Sequence, residues 1–207
     1  MSSERPEIQG SRFAVSTGHH YASQAAFEVR QSGGNATDAG VAAGLALGVL
    51  QSDLVSVAGV APIILWDAQR TEMITISGLG GWPAAADIDY FREQHGGAIP
   101  VGPLRTVVPA APAAWIAALE HHGTMSFGDV AHYATRFARD GFPMNALLRQ
   151  TIMSNKSSYQ AFPYAADIYL ANSGEPPVIG ELFYQEDLGS SLQFMIDQEA
   201  AALGKGG

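Results

Sequence analysis

Two adjacent histidine pairs, one glycine-rich turn and a few isolated carboxylates are the side chains of this sequence with chemistry to offer. His19-His20 and His121-His122 have the donor type of a metal site. Neighbouring residues on a helix or strand point apart, though, and no carboxylate cluster stands at ligand spacing, so no metal is expected. Gly78-Leu79-Gly80-Gly81 has the look of a phosphate loop. It lacks both the Lys-Ser/Thr of a P-loop and a Rossmann helix, and reads as a turn. Asp38 and Asp140 read as helix-capping or loop-ordering carboxylates, and His20 as a cap or packing residue of the first helix. The sequence contains no cysteine, which excludes thiolate nucleophiles, disulfides and zinc–thiolate sites. No complete catalytic set is legible, and no cofactor is expected.

The elements that must position these residues are easier to read. Ala22, Ala25, Ala26 and Val29 recur at helical spacing, so Tyr21 to Gln31 reads as an amphipathic helix. Gly33-Gly34 can end it in a left-handed turn, and Asn35 with Asp38 three residues on can cap the next. Ala39 to Leu50 is apolar or glycine throughout, as befits a helix buried on all sides. Phe13 to Thr17 is expected as a strand. Val60 to Trp66 and Glu72 to Ser77 are expected to pair as a β-hairpin around Asp67-Ala68-Gln69-Arg70, with Met73 and Thr75 on one face and Ile74 and Ile76 on the other. Further helices are expected over Asp87–Gln94, from Pro112 to about His121, after the cap Ser126, over Met144–Ser154, and around Leu188–Leu203. Thr106–Val108 reads as strand-like, Ser157–Glu181 as loop, and Gly204–Gly207 as a flexible tail. Strands near the start with helices afterwards fit an α+β layered architecture, read here as one domain over residues 1–207.

Composition narrows the partners. The chain is 47% hydrophobic and only 15% charged, against about 25% charged in an ordinary domain. So little charge over so much apolar material predicts that part of the surface is covered by another chain. The net charge of -9, without a basic cluster, speaks against nucleic acid and anionic lipid. The N-terminus Met1-Ser2-Ser3-Glu4-Arg5-Pro6 lacks an apolar signal core, and Ala39–Leu50 is too short to cross a bilayer, so a cytoplasmic protein is expected.

The order of short motifs carries a family resemblance. His20-Tyr21-Ala22-Ser23 and Ser32-Gly33-Gly34-Asn35-Ala36-Thr37-Asp38-Ala39 are followed by Val107-Val108-Pro109 and its Ala-rich helix. Then come His122-Gly123-Thr124 and Ala138-Arg139-Asp140-Gly141-Phe142-Pro143. From about Phe13 to Pro143 this resembles the N-terminal part of the large subunit of the γ-glutamyltransferase family, N-terminal-nucleophile amide hydrolases and acyl transferases. The resemblance implies a four-layer αββα sandwich, with this chain giving mostly helices and some strands and a second chain completing it.

It also implies a nucleophilic threonine whose own α-amino group is the base, exposed by autocleavage at the start of a small subunit. Every threonine here is internal, so the nucleophile is expected on the partner chain and no catalytic residue on this one. γ-Glutamyl-specific relatives grip the substrate α-carboxylate with an arginine from a Phe-Arg-Glu-x-x-Pro setting. Aligned on Pro83-Ala84-Ala85, that arginine falls on Leu79, and an isobutyl group cannot replace a guanidinium–carboxylate contact. Arg92 and Arg105 are the next cations along the sequence. Where the family has glycines before the first hairpin strand, this chain has Ser56, Ala58, Val60 and Ala61, keeping only Gly59. The expected activity is therefore that of an amide hydrolase or acyltransferase on a small non-γ-glutamyl substrate, with Leu79, Gly80, Gly81 and Trp82 lining the acyl pocket. A true γ-glutamyltransferase and a non-catalytic scaffold keeping the fold remain as alternatives.

Overall fold

The computed structural model describes residues 8–206. Its centre is the helical hairpin expected from the first motif. Helix α1 (His20–Gln31) ends at Ser32, and Gly33 takes φ 98°, a left-handed turn open to glycine at little cost. Asn35 then caps α2 (Ala36–Leu50) in a complete capping box with Asp38. Three helices pack around α2: α1, α4 (Ala111–His122) and α5 (Phe127–Asp140). Gly44 lets α4 come close, because a Cβ there would lie 2.9 Å from Trp115 Nε1.

Helix α5 has the expected apolar face (Phe127, Val130, Ala131, Ala134, Ala138) and a capping box at Ser126 with Asp129. Its first free amides are also held by the last helix, α9 (Glu186–Gly206). The Phe127 and Gly128 amides donate to the two Glu199 carboxylate oxygens at 2.7 and 2.8 Å, placing negative charge at a helix start.

The β-hairpin forms from β1 (Ile63–Asp67) and β2 (Glu72–Ile76), with Leu65 opposite Ile74 and Trp66 opposite Met73. Asp67 orders the turn by accepting from the Gln69 and Arg70 amides at 2.9 and 3.0 Å. The two faces divide as expected. Ile63, Leu65, Ile74 and Ile76 face the helices, half-buried, while Ile64, Trp66 and Met73 stand 69, 56 and 58% exposed. Helix α3 (Ile88–His95) follows, capped by Asp87 and closed by Gly96 at φ 59°, with no buried residue.

Four expectations are corrected. Phe13–Thr17 is not a strand: it is extended, with Phe13, Val15 and Thr17 half-buried in alternation, but no ladder partner stands beside it among the described residues. Thr106–Val108 is no strand either. A 3-10 turn (Pro103–Arg105) precedes it, and only the Val108 amide reaches across, to the Gly81 carbonyl at 2.9 Å. The segment Ser157–Glu181 holds two short helices, α7 (Lys156–Gln160) and α8 (Pro163–Tyr169); neither is long enough to show a period in sequence. Helix α6 (Ala146–Ser154) precedes them, and a two-residue ladder of β3 (Phe142–Pro143) with β4 (Leu182–Phe183) ties the exit of α5 to the entry of α9. Finally, Gly204–Gly206 continue α9 rather than forming a tail, while Gly207 lies outside the described residues. Among the described residues no helix is long and apolar enough to cross a membrane.

Candidate functional site

Leu79 to Trp82 lie on the chain directly after β2. Gly78, at φ 56°, turns it there. The Gly81 carbonyl then accepts from the Val108 amide, and Gly80 passes so close to that strand-like arm that a Cβ would meet the Val108 oxygen at 1.5 Å. Glycine at position 80 is thus a packing requirement. The turn presents its two large side chains to the outside: Leu79 is 62% and Trp82 45% exposed. Trp82 lines a cleft of about 250 Å³ with Pro83, Tyr90, Phe91, Pro103 and Leu104, while Leu79 is not part of its wall. The structure therefore places the four residues on one clamped turn without gathering them into a single cavity.

Neither of the two arginines that follow this turn in sequence is a free cation in the structure, and Arg70 before it lies 3.8 Å from both Asp67 and Glu72. Arg92 pairs with Asp89 at 3.2 Å, and the Arg105 guanidinium donates to the Ile99 carbonyl at 3.1 Å. Among the described residues no three His, Cys, Asp or Glu side chains group to hold a metal.

Asp38 and the histidines have structural settings. Asp38 is fully buried, and its carboxylate accepts from the Asn35 amide (2.7 Å), the Thr124 amide (2.9 Å), the Thr124 hydroxyl (2.6 Å) and the Met125 amide (3.2 Å). It joins the start of α2 to the loop after α4, where Gly123 leaves room for it. Asp140 ends α5, exposed. The cap of α1 is His19 rather than His20: His19 Nδ1 accepts from the Tyr21 amide at 3.2 Å, and His20 stacks on the His19 ring at 4.6 Å. His122 sits 3.7 Å from the Asp67 carboxylate, joining the end of α4 to the hairpin turn.

Burial, and then the neighbouring His20 charge, lower the His19 pKa to about 4. Its ordinary value is near 6.5, so the unfolded chain takes up a proton first as pH falls. Stability is complete above about 6.5 and declines from there towards about 4. Melting measured from pH 7.5 down to 4.5 is expected to fall more steeply for the native protein than for His19→Asn, which can cap without titrating. Equal slopes would contradict this assignment.

A larger opening lies elsewhere. A cleft of about 840 Å³ separates β1 from α2, and another of about 440 Å³ lies between the extended Phe13–Thr17 and α2. Ala36 and Gly40 line both, so one small-residue face of α2 floors a gap with a backbone edge on each side. Sequence reading did not single out Gly40. Its exposure in the middle of a mostly buried helix is the signal that marks it.

Comparison with known proteins places these features. The Gamma-glutamyltranspeptidase family profile matches residues 22–206. The chain is 29% identical over 201 residues to the Glutathione hydrolase-like YwrD proenzyme of Bacillus subtilis (strain 168), covering 96% of this chain and 38% of that protein. It is also 29% identical over 212 residues to the Acylase ACY 1 proenzyme of Pseudomonas sp. (strain V22), covering 97% of this chain and 37% of that one. The crystal structure of Helicobacter pylori gamma-Glutamyltranspeptidase superposes with a TM-score of 0.88 at 23% identity, over 94% of this chain and 57% of that chain. The chain thus spans less than two fifths of the length of these two curated relatives, and its helices and hairpin form part of the α+β fold of the N-terminal-nucleophile hydrolases. A profile match running from the first helix to the last leaves one conclusion: the chain belongs to the γ-glutamyltranspeptidase family.

Proposed function

We propose that this chain is the large-chain part of an amide hydrolase or acyltransferase whose threonine nucleophile begins a partner chain, and whose substrate is not a γ-glutamyl compound. The observation that carries the reading is the gap over α2. Two backbone edges, Phe13–Thr17 and β1, flank a floor of small residues, and the outer face of the hairpin exposes Ile64, Trp66 and Met73. Open edges beside apolar faces are what an added strand satisfies. The names of the relatives, a glutathione hydrolase-like proenzyme and an acylase proenzyme, agree with a chain that is processed and then assembled.

In the assembled enzyme the threonine hydroxyl would attack the substrate amide carbonyl, passing its proton to the threonine's own amino group. That proton leaves with the amine as the C–N bond breaks. Water, or an acceptor amine, then resolves the ester, releasing the acid or a new amide. This chain would shape the acyl site through Leu79–Trp82. Leu79 supplies no charge for an α-carboxylate, and Arg92 and Arg105 are engaged elsewhere, which weighs against γ-glutamyl specificity.

The test is the mass and first residue of the chain that copurifies with this one from the full-length gene, together with turnover of a γ-glutamyl anilide. A threonine-initiated companion and γ-glutamyl turnover at least roughly a hundredfold below that of the favoured amide are expected. Absence of a companion, or efficient γ-glutamyl turnover, would overturn the corresponding half of the reading.

A further inference from the structure

The cleft beside Trp82 has a shape and chemistry of its own. It measures about 250 Å³, and no charged side chain lines it. Trp82 and Phe91 meet edge to face at 5.7 Å, and Tyr90 meets Phe91 the same way at 5.6 Å, so the wall is a set of rings already in their preferred mutual geometry. The hydroxyl of Thr106, at its rim, is engaged in donating to the Pro103 carbonyl at 2.6 Å. The cleft is also held open. The Gly81–Val108 hydrogen bond clamps its two arms, the Ala86 amide donates to Pro83 at 2.8 Å, and the Arg105 amide to Gly102 at 3.0 Å. Helix α3, which brings Tyr90 and Phe91, buries nothing in this chain's core, so these rings are not explained by its own folding.

We propose that this cleft seats a flat, uncharged ring on the acyl portion of the substrate, so that the assembled enzyme favours arylacyl amides. The proposal rests on the reading that Leu79–Trp82 border the acyl site. Size fits: an apolar cavity of about 150 Å³ holds one benzene, so about 250 Å³ takes a ring and the methylene that joins it to a carbonyl. Charge fits as well. An α-amino acid side would bring an ammonium and a carboxylate against rings and prolines with no counter-ion, and both would be desolvated without return. A neutral ring exchanges water for edge-to-face contacts instead.

The experiment uses the full-length, processed enzyme and three primary amides that share ammonia as leaving group: phenylacetamide, butyramide and glutamine. Phenylacetamide is expected to show kcat/KM roughly tenfold or more above butyramide, the range for one apolar group in a fitted pocket. Ala86→Phe, which fills the cleft, and Tyr90→Ser, which opens its wall, should each bring that ratio towards one. Saturation-transfer NMR with phenylacetamide reads the cleft without catalysis: signal on the native protein, lost in Ala86→Phe. Amide turnover with no preference for phenylacetamide and no saturation transfer overturns the cleft and leaves the enzyme reading standing. The same null result arising because a companion chain covers Trp82 overturns it equally. Saturation transfer that Ala86→Phe abolishes, in a protein that turns over no amide, supports the cleft and overturns the enzyme reading.

Discussion

Replacing Asp38 with alanine is expected to destabilise the protein by about 3–5 kcal/mol, far more than removal of an ordinary helix cap. The reason is the number of donors that the carboxylate satisfies in a place without water. Asp38 is fully buried and accepts from three backbone amides and one hydroxyl, three of these four donors on a loop more than eighty residues away in sequence. A methyl group leaves those three amides unpaired, at roughly 1–3 kcal/mol each before any rearrangement. Asn35→Ala, which removes the capping oxygen of α2, should cost about 1–2 kcal/mol, and Thr124→Val, which removes one hydroxyl, about 1 kcal/mol. Denaturant midpoints of the assembled protein measure the order. If Asp38→Ala costs no more than Asn35→Ala, water reaches the loop amides and Asp38 is only a cap.

Much of this arrangement was legible because it is local. Asn35 and Asp38 are three residues apart before an apolar run, and that spacing alone specifies the capping box found in α2. The hairpin was legible from its alternation, down to the face that Met73 and Thr75 share. What could not be read is the reach of Asp38 to Thr124, since no local pattern encodes a contact made through tertiary packing. The cap of α1 fell one residue away from His20, the histidine expected there. Histidine is not among the usual capping residues, and only the bond from the Tyr21 amide to His19 Nδ1 reveals the role.

The strand expected at Phe13–Thr17 shows how an alternating pattern can fall short of a strand. Its residues alternate, and Phe13 is held between the Arg30 guanidinium, 5.2 Å over its ring, and Phe27 at 5.3 Å. A strand is defined by its ladder, however, and none of the described residues offers one. The same holds for the site. Leu79–Trp82 were named by resemblance to a motif, but the side chains that line the cleft with Trp82 come from α3 and from the turn after Gly102, which takes φ 116°. The low charged fraction, by contrast, has a visible counterpart: Ile64, Trp66 and Met73 stand exposed on the outer face of a two-stranded sheet that has nothing over it among the described residues.

Gly40→Phe is expected to abolish assembly and processing of the full-length protein while leaving this chain's own fold intact. Position 40 is exposed in mid-helix, and a Cβ built there meets nothing within 4 Å. Within α2 itself any ordinary residue should do slightly better than glycine, phenylalanine by a few tenths of a kcal/mol and alanine by about 1 kcal/mol. The position nevertheless floors both clefts that flank the gap between Phe13–Thr17 and β1. A strand laid over Gly40 would take up the space of a phenyl ring. Size should therefore grade the response. Gly40→Ala assembles normally, whereas Gly40→Phe leaves an uncleaved precursor on a denaturing gel with an unchanged far-ultraviolet helix signal. Gly44 cannot serve the same purpose, because Trp115 already fills the space beside it and a larger residue would unfold the chain. Normal cleavage of Gly40→Phe would mean that the face of α2 between the two edges is left to water, and that the strands proposed to come from a partner chain are seated somewhere else.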